Sequence, residues 1–359
     1  MLYQKGGAVF TEIQDQPRAW KSVLESSAGL KDSIVSWLRA ENFGQVLLIG
    51  SGDSYGVALS AASILHLVSG LNTVARPSSE VLYLRRPPYD SRIKSLVLAI
   101  SCDGEDLDTL WAVEKMRKLH PACKVLFLGA AMGQIGELAD QKLLAHETLE
   151  ETPVRTRSVS SLLLYSMILT AWLSGKDVFI KELEKCAEVV DFRSIQDQVR
   201  SVASVKPLPV QTTFLGSGPY YGAALYGALK LREMASMVAN YESSLEFRHG
   251  YQSWLTNQTM TVSLVSDTFR DAELTTAFAV GITRSQRVLI ADQLEQKHAI
   301  RVEHSVELKS GLSEISRILL MYPALQLMSF YVALAKGVNP DKPREVVESK
   351  ITFEKPPGV

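Results

Sequence analysis

The sequence predicts an α/β protein built from two tandem doubly wound parallel sheets, each a three-layer α/β/α sandwich. Three observations carry that prediction: the length of the chain, an internal repeat, and an alternation of apolar runs with helical segments along both halves. At 359 residues the chain exceeds what one hydrophobic core ordinarily holds, so two domains of ordinary size are expected. LIGSGDSYGVAL (48–59) aligns with FLGSGPYYGAAL (214–225), and seven of the ten positions from Gly50 are identical. A single GSG would be a generic strand–helix turn; its recurrence at domain spacing points to duplication. In each copy a β-type run (QVLLI, TTFL) precedes the glycines and a small-residue helix follows. Glycine in such a turn permits positive φ and close approach of backbone to a ligand.

Taken in order, the chain starts with an N-terminal helical segment (1–34). A first domain (35–175) has strands expected near 45–50, 73–76, 95–101 and 123–129. The charged stretch KDVFIKELEKCAEVVDF (176–192) lies in a helical linker (176–205), and VKPLPVQ marks the start of the second domain (206–338). Its strands are expected near 212–216, 237–241, 259–266 and 287–292, and residues 339–359 form a tail expected to close over the site. Apolar strands alternating with helices imply parallel sheets covered on both faces. Ligands then belong at the carboxyl ends of the strands, where the glycine turns lie.

Bulk properties narrow the function. A composition 46% hydrophobic and 21% charged is that of a globular protein, and a net charge of −1 gives no electrostatic case for nucleic acid or an anionic membrane. The apolar run SLLLYSMILTAWL from Ser161, taken as the longest, is too short and too polar to span a bilayer. The N-terminus lacks the layout of a secretion signal. Cys102, Cys123 and Cys186 are widely spaced and fit a reducing cytoplasm rather than a disulfide framework or zinc site; the six histidines show no ligand spacing. A dinucleotide fingerprint is disfavoured because the third glycine of Gly50-Ser-Gly52-Asp-Ser-Tyr-Gly56 comes one residue late.

One turn stands out. SCDGEDLDTL (101–110) follows the strand SLVLAI and opens a helix, so its N–H groups form an anion cradle. Yet it carries Asp103, Glu105, Asp106 and Asp108.

Several segments together resemble the double sugar-isomerase (SIS) domain family, whose halves are flavodoxin-like. The nearest branches are the isomerase half of glucosamine-6-phosphate synthase, amino-sugar-phosphate isomerases and deaminases, and fructosamine-phosphate deglycases. TEIQDQP (11–17) resembles the family's opening helix, TRSVSS (156–161) its T-R-S-F-[ST] segment, ALKLREMAS (228–236) its ALKLKE segment and SLEFRHG (244–250) its E-[LF]-[KR]-H-G segment. KPREVVESKITFE (342–354) resembles its closing tail. The resemblance implies that Glu233 is the base moving a proton between C1 and C2, that Lys230 contacts substrate, and that His249 opens the sugar ring from a neighbouring subunit. It further implies substrate contacts at Gly52, Asp53, Ser54, Ser101, Cys102, Asp103, Asp106, Val154 and Thr156. No metal or organic cofactor is implied.

The residues bear on those roles independently. Proton transfer beside a carbonyl needs a positioned carboxylate of raised pKa, which burial of Glu233 in the apolar helix ALYGALKLREMASM would supply. The alternative for Glu233 is a surface carboxylate paired with Lys230 three residues back. His249 has the alternative of a satisfied loop histidine.

The pattern also breaks. In the family the first-half turn usually reads S-x-S-G-x-[TS] and grips a hexose 6-phosphate; here Asp103 and Asp106 replace hydroxyls, and Asp53 replaces a threonine. A dianion about 4–5 Å from one carboxylate meets repulsion of a few kcal/mol per charge pair at an effective dielectric of about 20. Helix-terminus attraction offers only about 0.3–2 kcal/mol. Three readings stay open: a changed substrate terminus, simple helix capping by the aspartates, or neutralisation by Arg155 and Arg157. The tail's expected lysine position is Glu348, leaving Lys350 as the candidate amine.

The expectation is a sugar or phosphosugar isomerase or deaminase-like enzyme working by proton transfer at C1/C2, cytoplasmic, with a non-catalytic carbohydrate-binding module as the alternative. With no glutaminase or DNA-binding segment in the sequence, neither a complete synthase nor a SIS-type transcription regulator is expected. A homodimer with shared sites is expected, because the histidine is borrowed and because LLLYSMILTAWL offers more apolar surface than one monomer face would hide.

Overall fold

The computed structural model describes residues 5–343 and 355–356. The chain opens with α1 (Gly7–Gln14) and α2 (Gln16–Glu41). A first alternation follows: β1 (Gln45–Gly50), α3 (Asp53–Ser69), β2 (Asn72–Pro77), α4 (Ser78–Val81), β3 (Ser95–Ile100), α5 (Leu107–Leu119), β4 (Lys124–Gly129), α6 (Gly133–Leu138), β5 (Gln141–Leu144) and α7 (Arg157–Ser174). Helices α8 (Asp177–Val189) and α9 (Phe192–Ala203) lead into the second: β6 (Gln211–Gly216), α10 (Tyr220–Ala235), β7 (Val238–Ser243), β8 (Thr259–Leu264), α11 (Arg270–Val280), β9 (Gln286–Ala291), α12 (Gln296–Ala299), β10 (His304–Glu307) and α13 (Glu314–Lys336).

The strands form two five-stranded sheets, ordered β2-β1-β3-β4-β5 and β10-β9-β8-β6-β7, and every pairing is parallel. Counted within each half, both orders are 2-1-3-4-5, the flavodoxin-like order of doubly wound folds. The central strands explain why the alternation was readable: QVLLIG, SLVLAI and TMTVSL are buried at every position, as strands covered on both faces must be. The edge strands β5 (QKLL) and β10 (HSVE) are four residues long and only partly buried. They carry no continuous apolar run, and the sequence reading missed both.

The described chain divides into two compact units. One comprises residues 16–150, 157–187 and 355–356, around the first sheet. Its core joins Leu47, Ile49, Val97, Ala99, Val125 and Phe127 of the strands to Val113 and Met116 of α5. Across α7 every residue from Ser158 to Trp172 is buried, and Trp20 Nε1 of α2 donates to Ser160 Oγ at 3.0 Å. This corrects the expectation that LLLYSMILTAWL has apolar surface to spare: it is already buried within the single chain.

The other unit comprises residues 5–15, 151–156 and 188–343, around the second sheet. Here α1 docks on α13 through Phe10 and Phe330, ring centroids 5.2 Å apart, and Val9 N donates to Asp341 Oδ1 at 2.9 Å. The 23 residues of α13 form a longer apolar helix than the run at Ser161, which corrects the expectation that the latter is the longest apolar stretch. Among the described residues it is the one helix that meets the length and composition of a membrane span, and 83% of its most apolar window is buried.

Candidate active site

In the first unit the order β2-β1-β3 places the topological switch between β1 and β3, and both predicted turns lie at the carboxyl ends of those strands. Gly52 has φ +52, and Ser54, buried in the first turn of α3, donates its N–H to Ser51 O at 3.0 Å. Asp53 opens the same helix. Ser101 and Cys102 are buried at the end of β3; Cys102 Sγ accepts from Ser158 Oγ at 3.4 Å. Gly104 has φ +74 and packs so closely on Met132 that a Cβ would meet Met132 O at 2.5 Å.

The carboxylates of this turn accept from the chain's own donors. Asp103 Oδ1 takes Glu105 N at 3.0 Å, and Gly104 N donates to Ser101 Oγ at 3.2 Å. Asp106 is the N-cap of α5: its Oδ2 accepts Thr109 N at 3.1 Å, Ser51 Oγ at 2.7 Å and the Thr109 hydroxyl. Ser78, fully buried just past β2, joins the network through Thr109 Oγ1 at 2.7 Å. The sequence reading did not select Ser78 or Thr109; the Pro77-Ser78 step at the end of a strand was the available signal. Burial, then the nearby Asp106 charge, raises the Asp108 carboxyl above the ordinary range. The Arg157 guanidinium donates to the carbonyls of Thr148 and Leu149.

A second group assembles in the other unit. Lys230 of α10 is wholly buried, and its Nζ donates to Glu233 Oε2 at 2.5 Å and to Arg155 O at 3.2 Å, with the Tyr226 ring 5.2 Å away. Burying an ammonium is costly unless its hydrogens find acceptors, which this arrangement supplies. The Glu233 side chain is 38% exposed. That corrects the expectation of a carboxyl buried in an apolar helix: α10 is apolar on the side of Tyr226 and Lys230, while position 233 turns toward solvent. The pairing with Lys230, the more modest of the two readings, is present.

The segment carrying Val154 and Thr156 is pinned to the same helix. Both residues are buried. Tyr226 Oη donates to Arg155 O at 3.1 Å, and Gln326 Nε2 of α13 donates to Thr156 O at 3.2 Å and to Tyr226 Oη at 2.8 Å. The segment's other end is held by Glu12 of α1, 5% exposed, whose carboxylate accepts Glu151 N at 2.8 Å, Thr152 N at 3.1 Å and the Thr152 hydroxyl. Glu12 is the glutamate of TEIQDQP, and its sequence context alone assigns it no partner.

The remaining predicted residues stand apart. His249 ends a short 3₁₀ turn after β7, exposed, with its N–H on Glu246 O at 2.8 Å. Glu233 and the second glycine turn sit at opposite ends of α10, about 20 Å apart along the helix axis. Lys350 and Glu348 lie outside the described residues.

Comparison with known proteins bears on this arrangement. Residues 41–174, spanning the first sheet and its acidic turn, match the SIS domain family. The chain carries a SIS domain. Around that domain, the sequence is 24% identical over 363 residues to a glutamine–fructose-6-phosphate aminotransferase (isomerizing) of Pyrococcus horikoshii, covering 98% of this chain and 59% of that protein. It is 27% identical over 362 residues to the Legionella pneumophila (strain Lens) protein of the same name, covering 96% and 58%. The chain thus spans somewhat over half the length of these relatives. The fold matches tagatose-6-phosphate ketose/aldose isomerase of Escherichia coli with a TM-score of 0.84, at 21% identity, covering 94% of this chain and 97% of that one. It also matches the C-terminal domain of glucosamine-fructose-6-phosphate aminotransferase from Francisella tularensis, at TM-score 0.81, 23% identity and coverage of 94% and 98%. Both likenesses span the two sheets, so the SIS fold occurs here in tandem.

Proposed function

We propose that this chain is a sugar or phosphosugar isomerase or deaminase-like enzyme in which Glu233 moves a proton between C1 and C2 of an open-chain carbohydrate derivative. The observation that carries the reading is the state of that carboxylate. Lys230 fixes Oε2, and among the described residues Oε1 accepts no hydrogen bond while the side chain opens to solvent. A substrate reaching it meets a positioned base next to the segment that bears Val154 and Thr156. The isomerase and aminotransferase names of the relatives and structural neighbours agree with this reaction class.

In the isomerisation Glu233 takes the hydrogen from the carbon beside the carbonyl. The C–H electron pair becomes the C1–C2 double bond of an enediol, and the carbonyl oxygen gains a proton. Return of the proton from Glu233 to the neighbouring carbon, with loss of one from the other oxygen, exchanges aldose for ketose. With an amine on the reacting carbon, the same abstraction gives an enolamine; return of the proton from Glu233 to the neighbouring carbon converts it to an imine, which water hydrolyses to a carbonyl and the free amine. His249 is exposed, as a histidine lent to a second copy's ring-opening step would be, so the working unit in this proposal is a homodimer. General-base contributions of this kind are worth about 10²–10⁴-fold. Incubated with a sugar substrate in D₂O, the protein should exchange the C2 hydrogen of an aldose or the C1 hydrogen of a ketose, and Glu233→Gln should slow this by at least about 10²-fold. Exchange that survives Glu233→Gln would remove the glutamate from the mechanism.

The proposal includes a changed substrate terminus. Two N–H groups of the first-unit cradle, on Glu105 and Thr109, already donate to Asp103 and Asp106. A hydroxyl or ammonium terminus suits those carboxylates better than a phosphate dianion. Titration with glucosamine, fructose and their 6-phosphates tests this: micromolar, phosphate-dependent binding left unimproved by Asp103→Ser sinks it. The carboxylates in the cradle are also the observation that favours the second reading, a non-catalytic carbohydrate-binding module. Absence of exchange with every sugar that binds would select that reading.

A further inference from the structure

The second sheet has a crevice at the carboxyl ends of β8 and β9, on the ligand-bearing edge of a doubly wound sheet and one strand over from its switch point between β6 and β8. A cavity of about 410 Å³ opens there, lined by Asp267, Arg270, Asp292, Gln293, Leu312 and Arg317. The offset that carries Gly50 onto Gly216 carries Ser101 of the first crevice onto Asp267 of this one. Nothing in the Glu233 arrangement uses it, since the crevice lies at the other end of α10.

We infer that this crevice is a second carbohydrate site, taking the neutral polyhydroxy portion of a sugar rather than a phosphate. The backbone cradle is already filled. Glu314 Oε2 accepts Asp267 N at 3.1 Å and Thr268 N at 2.8 Å, and the buried Glu273 accepts Ser266 N at 2.7 Å. In the lining itself two carboxylates (Asp267, Asp292) already pair with the two guanidinium groups (Arg270, Arg317), so neither backbone nor cation is left over for a phosphate dianion. Hydroxyls meet the opposite situation, because each accepts from a guanidinium and donates to a carboxylate.

Arg317 supplies the unmet demand. It is 2% exposed; Nη1 donates to Leu312 O at 3.1 Å, and Nη2 lies 2.8 Å from Asp267 Oδ2. Nη2 is thus engaged by that carboxylate and Nη1 lies 3.7 Å from Asp292 Oδ2, which leaves Nε as the buried donor without a partner of adequate angle. Such buried donors are ordinarily satisfied, by protein or by a bound molecule. Asp292 is rigid: Ser310 N at 2.8 Å, Ser310 Oγ at 2.6 Å and Gly311 N at 3.2 Å hold its two oxygens. Asp267, with a side chain 51% exposed, is the carboxylate a sugar hydroxyl can reach.

The test is a count of sites on the full chain by titration calorimetry and saturation-transfer NMR, using glucose, fructose, glucosamine and their 6-phosphates. Two sugars bind per chain, and the second binds free sugar at least as tightly as its 6-phosphate. Asp267→Asn and Arg270→Ala weaken that second site at least tenfold; Arg270→Ala leaves the melting temperature unchanged, whereas Asp267→Asn lowers it, because Asp267 pairs with the buried Arg317. Gln293→Ala gives the same answer if either variant folds poorly. One sugar per chain, or two sites indifferent to all three substitutions, overturns the inference. The loss of binding in these three variants reads this inference alone, whereas deuterium exchange reads Glu233 alone.

Discussion

Removing the Glu12 carboxylate should release the segment that carries Val154 and Thr156. In Glu12→Ala, Glu151 N and Thr152 N lose their acceptor and the Thr152 hydroxyl loses its partner, 139 or more residues away in sequence. A hydrogen bond to a charged group is worth about 1.5–3 kcal/mol. Three that share one carboxylate are not additive, so the local opening free energy should fall by about 3–4 kcal/mol. At 1.4 kcal/mol per decade that is about 10²–10³-fold faster amide exchange. Hydrogen–deuterium exchange on a peptide spanning 148–157 measures it directly, with the β3 strand as an internal control. Glu12→Gln keeps one acceptor oxygen and should fall between wild type and alanine. Unchanged protection of Glu151 and Thr152 in Glu12→Ala would refute the claim that this carboxylate holds the segment.

Three further outcomes follow from the geometry. Asp106→Ala removes the N-cap of α5 together with the Ser51 contact and should cost about 1–2 kcal/mol by denaturant titration, while Asp106→Asn should recover much of it. Gly104→Ala combines a φ of +74, a conformation that costs other residues about 1–2 kcal/mol, with a 2.5 Å clash on Met132 O, so its unfolding midpoint should drop by more than strain alone predicts. Burial raises the Glu273 carboxyl above its ordinary 4.5, against the Ser266 hydrogen bonds that lower it. The folded form therefore holds that proton more tightly than the unfolded one, and this stabilisation is lost as pH rises through the folded-state pKa. Melting temperatures compared with Glu273→Gln should shift in favour of the wild type as pH falls from neutrality toward about 4.5.

The architecture was written in local pattern. Strands covered on both faces must be apolar throughout, so QVLLIG and SLVLAI announced themselves, and the repeated GSG turn announced the duplication. Where burial is partial the code fades, which is why β5 and β10 escaped notice. The same reasoning misjudged α7, because an apolar helix looks identical whether its cover comes from its own chain or from another.

The chemistry-bearing residues were only half legible. The resemblance of ALKLREMAS to a family segment drew attention to Lys230 and Glu233, and the run of carboxylates drew it to the acidic turn. Spacing could not tell that Glu233 faces solvent, since a residue's exposure depends on which side of its helix the rest of the unit covers. Nor could it tell that Asp106 answers to Ser51 and Thr109, that Glu12 grips Thr152, or that Arg317 is buried against Asp267 and Asp292. Those pairings join residues tens to hundreds of positions apart, and only the folded backbone brings a particular donor within reach of a particular carboxylate. The sequence by itself determined the sheets and the types of group present; tertiary structure decided which groups are spent holding the fold and which remain for a ligand.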